Sequence, residues 1–239
     1  MLLTVDLERL RVRPGDTLLD AGCGEGRHCF GALERGARVL GLDLDWSSLR
    51  AAAGGLRTRA EELGSLGAML QGDAFALPFP DESFDKVICA EVMEHVHDFP
   101  AAARELARVT KPGGRLAITI PTATSEQLYL RLGDDYFESP GGHIRIFRPR
   151  ALAETLARAG LATEGVGFAH ALHTPYWVLR SIVGLPESDR NPLVRACRLF
   201  LIRATASRFM DWLEQRVLNY VCPKSLILYA EKPSEPPRG

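Results

Sequence analysis

The chain has 239 residues, 46% of them hydrophobic and 25% charged, with a net charge of −1. That length and balance suit one large soluble domain with a full core, and near-neutrality leaves no field to draw nucleic acid or acidic polymers. Five scattered cysteines without a CxxC pair suggest neither a disulfide framework nor a zinc knuckle, and read as reduced, mostly buried thiols of a cytoplasmic protein.

The opening MLLTVDLERLRVRPGD places acids and bases where a signal peptide needs an apolar run. No stretch reaches about 18 uncharged apolar residues, so no transmembrane helix is expected. Strand-like runs then follow in order: residues 17–21 (TLLDA), 38–42 (RVLGL), a weaker 68–71, 84–90 (FDKVICA) and 115–120 (RLAITI). Helical stretches over 27–35, 47–63 and 100–109 separate them, and Lys111-Pro-Gly-Gly114 reads as a turn before the fifth strand. Strands alternating with helices predict βαβ units and a parallel sheet.

Past residue 120 the pattern loosens. Residues 121–142 read as a loop with a short helix, 149–159 as a helix stopped by Gly160, 161–169 as a strand and 225–231 (SLILYAE) as a strand. Between those strands lies an insertion, 170–223, with a long helical pattern over about 193–219. Pro-rich 232–239 reads as a flexible tail.

Chemistry enters at Asp20-Ala-Gly22-Cys23-Gly24-Glu-Gly26, directly after a strand and before a helix. Glycines there let a ligand lie against the backbone and allow positive φ, at the strand ends where doubly wound sheets bind cofactors. The spacing is G-x-G-x-G rather than the G-x-G-x-x-G that seats a pyrophosphate, which suits a phosphate-free ligand such as S-adenosylmethionine; a plain turn is the competing reading. Asp43 ends the second strand 21 residues after Gly22, placed to accept from ribose hydroxyls, against the alternative of a solvated strand-end acid such as Asp45. Asp73 follows the third strand and suits the exocyclic amine of adenine, with Ala74 beside it.

The segments LLDAGCGEGRH, GLDLD, GDAFALPFPDESFD, ICAEVMEHV and KPGGRLAITIP, spread over residues 17–121, resemble the class I S-adenosylmethionine-dependent methyltransferases, particularly the small-molecule branch that includes quinone-biosynthesis enzymes. The resemblance implies a Rossmann-like α/β fold with a doubly wound, mostly parallel seven-stranded sheet, its last strand antiparallel, and an α-helical insertion before that strand. It implies S-adenosylmethionine as cofactor, with Asp20, Gly22, Cys23 and Gly24 at the amino-acid part, Asp43 and Leu44 at the ribose side, Asp73 and Ala74 at adenine, and Glu91 at the boundary with the acceptor. Residues 1–169 and 224–231 are then the core, and 170–223 a lid over the acceptor pocket. Beyond residue 121 the resemblance thins to Gly142-His143-Ile-Arg145-Ile-Phe147, and the insertion matches nothing in the family pattern.

Methyl transfer to a small organic or lipid-like acceptor, at oxygen, needs a proton acceptor. His143, in a Gly-flanked loop, is the first candidate; a loop histidine fixing backbone geometry is the plain alternative. His95 follows Glu91 by four residues and is expected to share a helix face with it. His95, His97 and Asp98 lack a fourth partner, so no metal is expected. His170, His173, Tyr176 and Trp177 read either as an acceptor-pocket lip or as an anchor for the insertion. Seven arginines against four acids over 180–216, with Leu199–Ile202 among them, suit a peripheral membrane contact or a lid with a solvated face. A nicotinamide-dependent oxidoreductase is disfavoured by the glycine spacing. A non-catalytic cofactor-binding module is the other alternative, and nucleic acid is disfavoured by the absence of a basic tract.

Overall fold

The computed structural model describes residues 3–132, 143–184 and 188–234. Apolar runs closed by acids or glycines form β1 (Thr17–Ala21), β2 (Arg38–Asp43), β3 (Gly67–Gln71) and β4 (Phe84–Ala90), and a fifth run closed by a proline forms β5 (Thr110–Pro121). Between them run α1 (Arg27–Leu33), α2 (Trp46–Glu62) and α3 (Phe99–Val109). After β5 come α4 (Ala123–Leu132), α5 (Pro149–Arg158), β6 (Ala162–Ala169), α6 (His173–Val183), α7 (Pro192–Thr205), α8 (Arg208–Leu213) and β7 (Ser225–Glu231). Gly142 and residues 235–239 of the expected tail lie outside the described residues.

The strands make one seven-stranded sheet in the order β3-β2-β1-β4-β5-β7-β6. β7 runs antiparallel to both neighbours and the other pairings are parallel. The chain order reverses between β1 and β4, which opens a crevice at their carboxyl ends where such sheets take their ligands. Both faces are covered, so the central strands are apolar toward both sides and read as nearly continuous buried runs. Leu19, Val87, Cys89, Leu116 and Ile118 pack in one layer with α3 and α5, while Leu18, Ile88, Ala117 and Ile227 pack in the other with α1 and α2.

Three features depart from the sequence reading. The Lys-Pro-Gly-Gly turn lies within β5, where Thr110 pairs with Phe84 and Arg115 with Lys86, so four residues bulge opposite one; Gly113, at φ 74°, allows it. The helical pattern expected to run unbroken over about 193–219 is interrupted. Ser207 accepts from the Met210 amide and caps a new helix, α8, whose backbone continues as a π turn (Glu214–Leu218) and a last helical turn (Asn219–Val221). A serine able to satisfy free amides ends one helix and starts the next. Finally, the N-terminal segment joins the core: Val5, Leu7, Leu10 and Val12 are buried, and the Asp6 amide donates to the Tyr229 hydroxyl at 3.0 Å. Among the described residues no helix is long and apolar enough to cross a membrane.

Candidate active site

The bend after β1 turns at Gly22, Gly24 and Gly26, with φ of 80°, 51° and 75°. Each is in the left-handed region that disfavours a side chain. Gly22 has a second constraint, because a Cβ there would lie 2.2 Å from Val92 Cγ2. At Gly24 a Cβ would meet nothing within 4 Å, so that glycine borders open space. The bend is tied to β2: the Gly22 and Cys23 amides donate to the Leu42 carbonyl at 2.7 and 3.0 Å. The Gly24 amide donates to Asp43 Oδ2 at 2.7 Å, and the Asp45 amide to Asp43 Oδ1 at 2.9 Å. Asp43 is half-buried and bonded at both oxygens, with one lone pair on each still available. Asp45 has a different task. It accepts from the Ser47 and Ser48 amides and caps α2, and the Ser48 and Ser47 hydroxyls, followed by those amides, hold its carboxyl down at about 2.

A cavity of about 450 Å³ opens beside the bend, lined by Gly22, Cys23, Gly24, Asp43 and Glu91 of the sequence candidates, and by Arg27, His28 and Val92. Asp20, Leu44, Asp73 and Ala74 do not line it. Asp20 lies beneath the bend with no exposure; its Oδ2 accepts from Cys29 Sγ at 3.4 Å and lies 3.9 Å from His28 Nδ1. Its Oδ1 has no partner among the described residues. Burial raises the Asp20 carboxyl to about 7 and pushes the His28 imidazole down to about 3. Leu44 is exposed, Ala74 is buried, and Asp73 accepts from the Phe75 amide at 2.9 Å within its own turn. A second cavity, about 370 Å³, lies at the opposite, amino ends of β1, β2 and β3, away from the crevice.

Glu91 follows β4, but not in a helix. Its φ is 57°, and only a single 3-10 turn, Met93–His95, comes after it, so the helix face expected for Glu91 and His95 does not exist. The Glu91 amide donates to the Thr119 carbonyl at 3.1 Å, and its carboxylate accepts from Thr119 Oγ1 at 3.0 Å and Lys224 Nζ at 3.2 Å. Burial opposes its ionisation, yet Lys224 and Thr119 hold the carboxyl below the usual range. His95 packs instead against His143, their rings 5.0 Å apart. His143 Nδ1 lies 2.8 Å from Glu126 Oε2, and its Nε2 lies 3.9 Å from Glu94 Oε1. Burial raises the Glu94 carboxyl well above the ordinary range. His97 and Asp98 serve elsewhere: the His97 carbonyl accepts from Arg145, and Asp98 caps α3 through the Ala101 amide.

At the start of the insertion His170, with φ 65°, stands before α6 rather than on it. The face that His170 and His173 would share on one helix is therefore absent, although their rings still meet at 4.9 Å. His170 Nε2 lies 2.8 Å from Thr4 Oγ1. Burial pushes both imidazoles down, His173 to about 4. Tyr176 and Trp177 lie edge to face at 6.0 Å with the Arg180 guanidinium over both, and Lys224 stands 5.8 Å from the Trp177 ring. Lys224 thereby joins the insertion to Glu91. Sequence reasoning missed Glu94, Glu126 and Lys224. Glu94 sits inside the EVMEHV segment, which was the available signal; Glu126 and Lys224 are isolated charges that only tertiary packing brings in. The sequence does contain a Tyr-x-x-x-Lys pair, which would suit the nicotinamide-dependent alternative, at Tyr220 and Lys224, but Tyr220 is exposed and the Lys224 ammonium is paired with Glu91.

Residues 19–118 match a family described as a methyltransferase domain. The chain is 36% identical to malonyl-(acyl-carrier protein) O-methyltransferase of Serratia marcescens over 175 residues, which is 72% of this chain and 64% of the relative. It is 39% identical to demethylmenaquinone methyltransferase of Corynebacterium efficiens over 111 residues, 46% of this chain and 44% of the relative. The chain spans less than two thirds of the length of these curated relatives. Among solved structures, the (4+2)-cyclase SpnF matches with a TM-score of 0.65 at 22% identity, covering 96% of this chain and 78% of that one. That likeness concerns the fold alone, since one fold hosts many chemistries.

Proposed function

Because the chain belongs to the class I S-adenosylmethionine-dependent methyltransferases, we propose that it transfers the cofactor's methyl group to a hydroxyl oxygen of a small organic or lipid-like acceptor. The observation that carries this reading is the half-buried Asp43, bonded to the Gly24 amide beside open space and still able to accept twice more. The residues fit the cofactor. Asp43 takes the ribose hydroxyls with Leu44 next to it in the chain, the bend at Gly22, Cys23 and Gly24 takes the amino-acid end above Asp20, and Asp73 and Ala74, beyond the cavity's lining, are assigned to the adenine end. Glu91, fixed by Lys224 and Thr119, stands at the acceptor boundary.

When bound, the cofactor supplies a methyl group on a positively charged sulfur. The protein's own contribution is alignment and the exclusion of water, together with removal of the acceptor's proton. His143 suits the last task. With Nδ1 donating to Glu126, its Nε2 carries the lone pair. His95 packs on its ring and orients it. His143→Ala is expected to slow methylation of hydroxyl acceptors by about a hundredfold while leaving cofactor affinity in place, read by mass spectrometry of an acceptor panel. An unchanged rate would remove His143 from the mechanism.

The insertion supports the lipid-like choice of acceptor. Leu193, Leu199, Phe200, Ile202, Phe209 and Trp212 are exposed on α7 and α8, interleaved with the exposed arginines 195, 198, 203 and 208. A solvated lid face would not carry so many bare apolar side chains. This surface suits a peripheral contact with an anionic bilayer. Flotation with anionic but not neutral vesicles is the expected result, and no flotation with either would dismiss it. His170, His173 and Tyr176 are assigned to the acceptor side of the pocket, between this insertion and Lys224.

A further inference from the structure

We propose that Glu94, His95 and His143 form a binding site for a divalent first-row transition ion of the zinc kind, with Glu126 holding His143 from behind. The inference goes beyond methyl transfer and stands apart from it, since it concerns ion binding by the free protein. Each of the three residues offers one ligand atom, and all three atoms lie within 4.8 Å of one another. Ligand atoms about 2.0–2.2 Å from a common zinc ion lie no farther apart than about 4.4 Å. The 3.9 Å between His143 Nε2 and Glu94 Oε1 is too long for a hydrogen bond but falls within that span.

A second, independent observation points to a cation. Glu94 is 1% exposed and, among the described residues, both its carboxylate oxygens lack a hydrogen-bond partner; Glu126, also 1% exposed, has one oxygen without a partner among them. A buried carboxylate without partners is costly. Glu94 is such a carboxylate, and it faces the His143 ring whose other nitrogen is held by Glu126. A doubly charged ion seated between Glu94 and the two imidazoles would supply the partner that Glu94 lacks. Two imidazoles and one carboxylate are a donor set that favours such ions over magnesium or calcium. The contact between Glu126 Oε2 and His143 Nδ1, at 2.8 Å, is the carboxylate support that fixes the tautomer of a ligating histidine. His95, exposed at the rim, leaves the ion a way in. One imidazole nitrogen cannot accept a proton and hold an ion at once, so proton acceptance belongs to the ion-free protein and ligation to the loaded one.

The test is titration of the full chain, stripped with a chelator and free of methyl donor, with Zn²⁺ by calorimetry and with Co²⁺ by visible absorption. The expected result is one ion per chain and a Co²⁺ spectrum without the thiolate charge-transfer band that exposed Cys222 would give. Glu94→Gln and His143→Ala should each weaken binding at least tenfold, and Glu126→Gln by about tenfold to a hundredfold. His97→Ala, outside the cluster, should bind as the parent does. No saturable uptake by the parent chain, a thiolate band, or uptake unaltered by Glu94→Gln and His143→Ala would each overturn the site. The parent titration decides even if a variant misfolds. A parent that methylates acceptors yet takes up no ion would remove this site and leave the methyl-transfer reading standing.

Discussion

Asp20→Asn is expected to change how stability depends on pH by about 4 kcal/mol between pH 4 and pH 7. The carboxyl is fully buried beneath the glycine bend, and burial raises it from an ordinary 3.8 to about 7. Because the folded state holds the proton more tightly than the unfolded chain, the group is neutral in both states below pH 4. As pH rises from 4 to 7 the unfolded chain ionises first, so the parent protein progressively loses stability. At about 1.4 kcal/mol per unit over roughly three units, the loss is about 4 kcal/mol. Asparagine has no proton to lose.

The groups facing Asp20 are His28, Cys29, Arg27 and Asp43. His28 gives the opposite slope. Its imidazole falls from 6.5 to about 3 on burial, so it favours folding above pH 6.5 and loses that contribution as pH falls toward 3. The parent profile alone therefore decides nothing. Subtracting it from the Asp20→Asn profile in urea unfolding series isolates the carboxyl. A difference that stays flat from pH 4 to pH 7 would show that Asp20 ionises normally in the folded state.

Asp43→Ala is expected to weaken S-adenosylmethionine binding by about tenfold to a hundredfold, or about 1–3 kcal/mol, as for a lost buried hydrogen-bond partner. The loss has two sources. The ribose loses its acceptor, and the Gly24 and Asp45 amides lose the carboxylate that fixes the bend against β2. Asp43→Asn separates them. One carbonyl oxygen remains to accept, so part of the affinity should return. Asp45→Ala should leave affinity nearly unchanged, since that carboxylate caps α2 and not the bend. Equal losses at positions 43 and 45 would mean that only loop rigidity is being measured.

The contrast between these neighbouring acids also marks what was legible in the sequence. The alternation of strands and helices was readable because β1 to β4 are short apolar runs, each ended by an acid or a glycine. β1, β4 and β7 match the expected residues at both ends. The glycine bend was readable because few other residues tolerate its backbone. Local spacing failed where the chain leaves regular geometry. Glu91 and His95 are four apart, which means a shared face only in a helix, and the left-handed Glu91 breaks that premise. The pairing of His143 with Glu126 and Glu94 joins three separate segments of chain, and no periodicity records it. Likewise the N-terminal segment, read only for the absence of a leader, supplies Thr4 to His170 and the Val5 amide to His28 Nε2 at 3.3 Å.

The most direct test of the account is calorimetric titration of the intact chain with S-adenosylmethionine and, separately, with NADH. It predicts one saturable site for the sulfonium cofactor, weakened by Asp43→Ala, and no heat of binding for the dinucleotide. Saturable binding of NADH alone, or of neither compound, would contradict it.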